Sequence, residues 1–276
     1  MDWRSLNTEA QIIGHYALES TKLPERLVRE CNDDRMTQVW VPSSYVKSIA
    51  VSNGIIENKL HIVSHGFDPL IFRPIESPVI NKKWTFLYVG GYTGKNDRKG
   101  ADLIAEASRR LYNTTQDFVV IFKINTIYGG QENLKDLEAP HHSIITTNYT
   151  DEEMGGLYNL GDCFITASSG EAFNMTLLEA MACGLPCISP RNTGEADFYR
   201  DSPYILQEFT EVPAKYSPWD NGLWFKPDVD EIVERMRTVL NDNPIRRSYN
   251  LTGYTWDEVA LKIMEVLGCW DASLKE

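Results

Sequence analysis

Short apolar runs alternate with stretches of helical periodicity along most of this chain, and that alternation restricts it to an α/β architecture built on a parallel sheet. The runs IIGHYAL, QVWVPS, KLHIVS, WTFLYVG, FVVIFKI, SIITT, CFITAS and PCISP read as strands. Leu23 to Cys31, Ser44 to Asn53, Gly100 to Tyr112, Asp151 to Leu160 and Ala172 to Cys183 read as the helices between them. Two later segments, Asp228 to Leu240 and Trp256 to Leu267, repeat apolar residues at helical spacing. Thr150, followed by Asp151, Glu152 and Glu153, supplies an N-cap with negative charge in the first turn. With 276 residues, 42% of them hydrophobic, the chain can bury a full core in one large domain or two modest ones.

Charge and cysteine usage narrow the function classes. A formal charge of −12 argues against a general nucleic-acid binder, because a phosphate backbone rewards clustered Lys and Arg. Cys31, Cys163, Cys183, Cys187 and Cys269 are odd in number and lack metal-ligand spacing, which favours reduced thiols and a cytoplasmic setting, with the cytosolic face of a membrane as the alternative. No metal site is expected. The opening MDWRSLNTEAQ has no basic stretch followed by an apolar core, and no segment approaches about 18 uninterrupted apolar residues. Asn113, Asn148, Asn174 and Asn250 begin acceptor patterns for glycosylation that read as chance matches in such a chain.

The run SGEAFNMTLLEAMACGLP, Ser169 to Pro186, concentrates the chemistry. A strand hands over to a helix there, and two carboxylates, Glu171 and Glu179, flank the handover. If the helix begins near Ala172, its unpaired N–H groups form an anion site with Glu171 at the mouth and Glu179 about two turns deeper. At about 1.5 Å rise per residue the carboxylates lie roughly 10 to 12 Å apart. A diphosphate over the helix end would leave a sugar near one acceptor-only carboxylate and a ribose near the other. Gly184 and Pro186 stop the helix.

This run resembles the signature of retaining glycosyltransferases of the GT-B fold, the group 1 or family 4 type. QVWVPSSYVKS, KLHIVSHGFDPLIFRP, FLYVGGYTGKNDRKGADLIAEA, YTDEEMGGLYNLGDCFITAS and YTWDEVALKIMEVL resemble further segments of that family in the same order. The resemblance implies a Rossmann-like doubly wound sheet, a GT-B-type donor domain beside a truncated partner domain. Residues 1–75 would be the partial acceptor-side domain and 76–250 the nucleotide-sugar-binding domain, separated by a linker around Phe72 to Trp84. Residues 251–276 would form a helix packing back on the N-terminal part.

The resemblance also implies roles. Glu171 would contact the donor sugar and Lys99 would neutralise the departing diphosphate, making these two the catalytic pair. Glu179 would bind the ribose. Ala172, Phe173, Asn174 and Met175 would contact sugar and diphosphate. Gly90 and Gly91 would let the backbone approach the phosphates, and Gly194 and Glu195 would lie in a loop near the donor. The family's arginine after the first strand is replaced here by Gly91, so the second positive charge falls to Arg98 or Lys95, with Lys123 a further phosphate candidate. His65, His141 and His142 lack a metal spacing and read as surface residues. The histidine that the family places in its first domain has only His15 as a candidate. The implied activity is metal-independent transfer of a sugar from a UDP- or GDP-type donor to a glycan, lipid or protein acceptor, with no cofactor. Two further readings stand beside it: a catalytically silent nucleotide-sugar-binding module, and one subunit of a split enzyme whose partner protein supplies the rest of the first domain.

Overall fold

The computed structural model describes residues 10–75, 83–126, 130–215 and 222–269. Three parallel strands open it, β1 (Ile12–His15), β2 (Met36–Val41) and β3 (Leu60–Ile62), in the order β1-β2-β3. The helices α1 (Glu25–Asn32) and α2 (Ser44–Ser52) make the crossovers. Ser43 starts α2 by accepting the Val46 N–H on its hydroxyl.

The second and larger sheet holds β4 (Trp84–Gly91), β5 (Phe118–Asn125), β6 (His142–Ile145), β7 (Cys163–Ile165), β8 (Cys187–Pro190) and β9 (Ile205–Leu206). All its pairings are parallel and the order is β6-β5-β4-β7-β8-β9. The chain therefore winds outward from β4 through β5 and β6, then returns to the other side of β4 to continue. Such a reversal opens a crevice at the carboxyl ends of the strands on either side of it. Helices α3 (Ala101–Tyr112) and α6 (Val229–Asp242) cover one face, and α4 (Asp151–Leu160) and α5 (Met175–Ala182) the other.

Both faces being covered explains why β4 and β5 read as near-continuous apolar runs. Phe86 and Tyr88 of β4 join Val120, Phe122 and Ile124 of β5 in the core under α3 and α6. Leu87 belongs to the core under α4 and α5, with Val89 and Ile121 packed against it. An antiparallel hairpin, β10 (Phe209–Pro213) with β11 (Leu223–Pro227), follows β9. The last helix, α7 (Trp256–Val266), is tied to the N-terminal part: Phe67 N–H donates to Tyr254 O at 2.9 Å, Trp256 N–H to Phe67 O at 3.1 Å, and Gln38 Nε2 to Val266 O at 3.2 Å.

Some expectations are corrected. The pocket helix begins at Met175 rather than near Ala172, because Asn174 adopts a left-handed φ of 76° and caps the helix by accepting the Leu177 N–H. The carboxylate separation reasoned from helical rise across Glu171 to Asn174 therefore loses its basis. The strands β9, β10 and β11 go unseen in the sequence reading. His141 and His142 are not surface residues: His141 is buried, stacked on Tyr112 with ring centroids 3.9 Å apart. His142 has both ring nitrogens occupied, by the Ser108 hydroxyl and by Leu137 O, each at 2.6 Å, and burial lowers its pKa to about 4. His65 is half-buried, with its ring 5.3 Å from that of Phe173. The proposed linker lies partly outside the described residues, which leave out 76–82. Among the described residues no helix is long and apolar enough to cross a membrane.

Gly100, with φ 70°, makes the turn from the β4 loop into α3, and a Cβ there would strike the carbonyl of Ala167, at the end of β7. Gly100→Ala is expected to cost about 1 to 3 kcal/mol. Urea denaturation should show a lowered midpoint with an unchanged slope.

Candidate active site

The site forms where the loops after β4, β7 and β8 meet. After β4, Asp97 organises its loop from both carboxylate oxygens: one accepts the Thr93 N–H at 2.7 Å and the Thr93 hydroxyl at 2.8 Å, the other the Lys99 N–H at 2.6 Å. Arg98 and Lys99 are thereby presented side by side toward β7. Upstream, the Tyr88 hydroxyl donates to Gly91 O at 2.8 Å, and a Cβ on Gly90 would meet that hydroxyl oxygen at 2.6 Å. The bare backbone at Gly90 is therefore required by packing as well as by access.

Glu171 follows β7 and is buried. The Lys99 ammonium donates to one of its oxygens at 2.6 Å, and the Arg98 guanidinium lies 3.3 Å from the other. Burial alone would raise the Glu171 pKa, but Lys99 and Arg98 overcome that and lower it to about 2, so the carboxyl is ionised. Arg98 also pairs with Glu19, ahead of α1, at 3.1 Å and donates to the Gly170 carbonyl. Lys99 keeps a third of its side chain exposed, whereas Arg98 is nearly enclosed. Lys95, the other candidate for the second charge, is exposed to solvent.

The loop after β8 holds Glu171 by its backbone. The Glu171 N–H donates to the Thr193 hydroxyl at 3.0 Å, and Gly194 N–H donates to Glu171 O at 2.9 Å. Thr193 in turn donates to Glu195 at 2.7 Å, while the Asn192 and Thr193 N–H groups donate to the other Glu195 oxygen, each at 3.0 Å. Burial pushes Glu195 up to about 7 against the lowering effect of Thr193.

A cavity of about 450 Å³ opens over these groups, lined by Gly90, Gly91, Lys99 and Glu171 together with Lys123, Asn125, Asn148, Tyr149, Met154, Thr166 and Thr176. Five residues expected at the site, Gly90, Gly91, Lys99, Glu171 and Lys123, thus line one space. Glu179 lies one helical turn beyond Thr176 and accepts the Tyr158 hydroxyl at 2.7 Å. Burial raises it to about 7, only partly offset by Tyr158. Ala172, Phe173, Asn174 and Met175 lie outside that lining. Ala172 packs in the core of the three-stranded sheet and its carbonyl accepts the Ser43 hydroxyl at 2.7 Å. Phe173 packs against Phe198 and Tyr254, Met175 is exposed, and the buried Asn174 amide nitrogen has no hydrogen-bond partner among the described residues. His15 ends β1, with its ring 6.1 Å from that of His65.

Glu19, Asn125, Asn148, Tyr149, Met154 and Thr176 escaped the sequence reading. Only Asn148 and Tyr149 carried a signal, as the residues just before the Thr150 cap. Among the described residues no cluster of His, Cys, Asp and Glu could hold a metal ion.

Open α/β sheets take their ligands in the crevice at the switch point, and here Arg98, Lys99 and the ionised Glu171 gather there. Residues 83–242 match the family of group 1 glycosyl transferases, and the chain belongs to that family. It is 29% identical over 144 residues to the sulfoquinovosyl transferase SQD2 of Arabidopsis thaliana, an alignment covering 51% of this chain and 26% of that enzyme. The fold is that of GT-B glycosyltransferases. It matches a glycosyltransferase of Rickettsia africae with a TM-score of 0.69 at 15% identity, over 94% of this chain and 70% of that one. It matches Anabaena HepE, solved in complex with UDP-glucose, with a TM-score of 0.68 at 15% identity, over 94% and 72%.

The raised pKa of Glu179 has a definite sign in stability. Below the ordinary carboxyl value of 4.5 the native and unfolded states both hold the proton. Between 4.5 and about 7 only the native state does, so stability falls as pH rises through that window. Glu179→Gln removes the penalty. The variant is expected to gain on the wild type by about 2 to 3 kcal/mol between pH 5 and pH 8, read as a widening difference in denaturation midpoint.

Proposed function

We propose that the chain is a retaining glycosyltransferase that moves a sugar from a nucleoside diphosphate sugar, of UDP or GDP type, to an acceptor without a metal ion. The observation that carries this reading is the Lys99 ammonium on Glu171 at 2.6 Å, beneath a cavity floored by Gly90 and Gly91. A departing nucleoside diphosphate gathers negative charge, and a fixed cation stabilises it more in the transition state than in the ground state. Lys99 is partly exposed and already preorganised by Asp97, which suits that role. Arg98, held by three partners, fixes the Glu171 carboxylate that receives the sugar hydroxyls. Glu179 takes the ribose hydroxyls when ionised, exchanging its bond to Tyr158 for them. The unpartnered amide nitrogen of Asn174 is a donor for the sugar or the diphosphate, and the backbone from Ala172 to Met175 shapes that end of the site. The UDP-glucose complex of HepE supports a UDP-type donor. The acceptor is a glycan, lipid or protein.

A second reading is favoured by the small N-terminal sheet, whose described part holds three strands against six in the larger one. In it the chain binds the donor without transferring the sugar, or transfers only beside a partner protein that completes the acceptor side.

Thermal-shift titration with UDP- and GDP-sugars separates these. A bound donor at a hundredfold excess over Kd should stabilise the fold by about 2.7 kcal/mol. Glu171→Ala and Glu179→Ala should each remove most of that shift, and Lys99→Ala should lower kcat by about 100- to 1000-fold. Stabilisation without transfer to any acceptor supports the second reading. A shift that survives both glutamate substitutions places the ligand elsewhere.

A further inference from the structure

Lys123 lines the cavity with a largely buried side chain, and among the described residues no acid pairs with its ammonium. It sits on β5 in register with Val89 of β4, one residue short of the Gly90–Ile124 and Gly91–Asn125 pairs. Its neighbours Phe122 and Ile124 turn into the core under α3 and α6, so its own side chain rises on the face covered by α4 and α5. Only 7% of it is exposed. The ammonium lies 5.2 Å from the centroid of the Tyr149 ring, an attraction that holds it in place without hydrogen-bonding it. Among the described residues it forms no ion pair and donates to no oxygen, and burial draws its pKa below the ordinary lysine value. An ammonium partly stripped of water, facing a cavity and without a protein acceptor, is open to an acceptor brought by a ligand.

The surroundings say which acceptor. Lys123 lines the same cavity as Lys99 and Glu171 but from the opposite side of β4, beside Asn125, Asn148, Tyr149 and Met154. With the diphosphate over Gly90 and Gly91 and the sugar at Glu171, this far end holds the nucleoside. Val89, Met154 and the Tyr149 ring make it a largely apolar slot, which suits the flat edge of a base better than a phosphate group. An ammonium offers donors and no acceptor, whereas the neighbouring asparagine amides offer both.

We propose that Lys123 selects the nucleobase of the donor, giving its N–H to the C4 carbonyl of uracil or the C6 carbonyl of guanine and discriminating against adenine and cytosine. Those two bases place an exocyclic amine where uracil and guanine place the carbonyl, and an amine facing a buried ammonium leaves both sets of donors unmatched. Sites built to meet one hydrogen-bonding group reject its replacement strongly for that reason. The inference rests on the cavity being the donor site.

Isothermal titration of the full chain with UDP, GDP, CDP, ADP and inorganic pyrophosphate tests it, using wild type, Lys123→Met and Lys123→Gln. The wild type should bind UDP or GDP more tightly than ADP and CDP by about tenfold or more. Lys123→Met should bring the four nucleotides within about threefold of one another while leaving ADP and pyrophosphate nearly unchanged, and Lys123→Gln, which keeps an N–H donor, should restore part of the preference. The melting temperature of each unliganded variant reports folding and should stay near that of the wild type. Equal weakening of all five ligands would make Lys123 a phosphate contact and overturn the proposal, as would an unaltered preference in Lys123→Met. Failure of every ligand to bind wild type would instead bring down the donor-site reading, and this proposal with it.

Discussion

The carboxylate of Glu171 is the charge around which the rest of the site is arranged. A carboxylate so deeply buried is sustainable only with cations at contact distance, and Lys99 and Arg98 supply them from a loop 72 residues earlier in the chain. That meeting requires β4 and β7 to be neighbours, which the reversal of strand order provides. It also requires the β4 loop to be held stiff, as Asp97 does, and the Glu171 backbone to be pinned, as Thr193 and Gly194 do with Glu195 behind them. The six-stranded sheet thus serves as a frame that brings three loop ends to one point.

Much of this was legible in the chain because its signals are local. The apolar runs of β4, β5, β7 and β8 are fully covered on both faces, so they stand out as uninterrupted segments. The Thr150 cap is present as a reciprocal capping box with Glu153. β9 is two residues long, and β10 and β11 are short and half-exposed, so neither length nor periodicity announces them. α5 starts later than Ala172 for a different reason: Ala172 is a good helix former by propensity, but the left-handed Asn174 cap sets the start at Met175, and contacts from Ser43 and the small sheet hold Ala172 in the preceding turn. At the site, Arg98 and Lys95 are equivalent in composition, and burial alone distinguishes them. The pairing of Glu19 with Arg98 is a tertiary event that no spacing reveals.

Histidines show the same division. His141 and His142 lack a metal spacing and read as surface residues, yet the first fills a slot against Tyr112 and Phe118 and the second bridges α3 to the turn before β6. Two hydrogen bonds meet the ring nitrogens of His142, whose low pKa keeps it neutral at physiological pH, whereas both ring nitrogens of His141 are buried without a hydrogen-bond partner among the described residues. They belong to the core and have no part in the site.

Ala172 gives the small sheet an influence out of proportion to its size. Its side chain is part of the same buried cluster as Leu18, Val39 and Ala50, and its carbonyl is bonded to Ser43 at the head of α2, while its neighbour Glu171 carries the site charge. The two sheets therefore share one peptide segment, and the position of the Glu171 carboxylate is set from both sides. In a mutational scan, apolar substitutions at Val39 or Ala50 would register as damage to the site although neither side chain lines the cavity. An activity map of this protein read without its packing would enlarge the apparent site to include side chains in the interior of a sheet that lie outside the cavity.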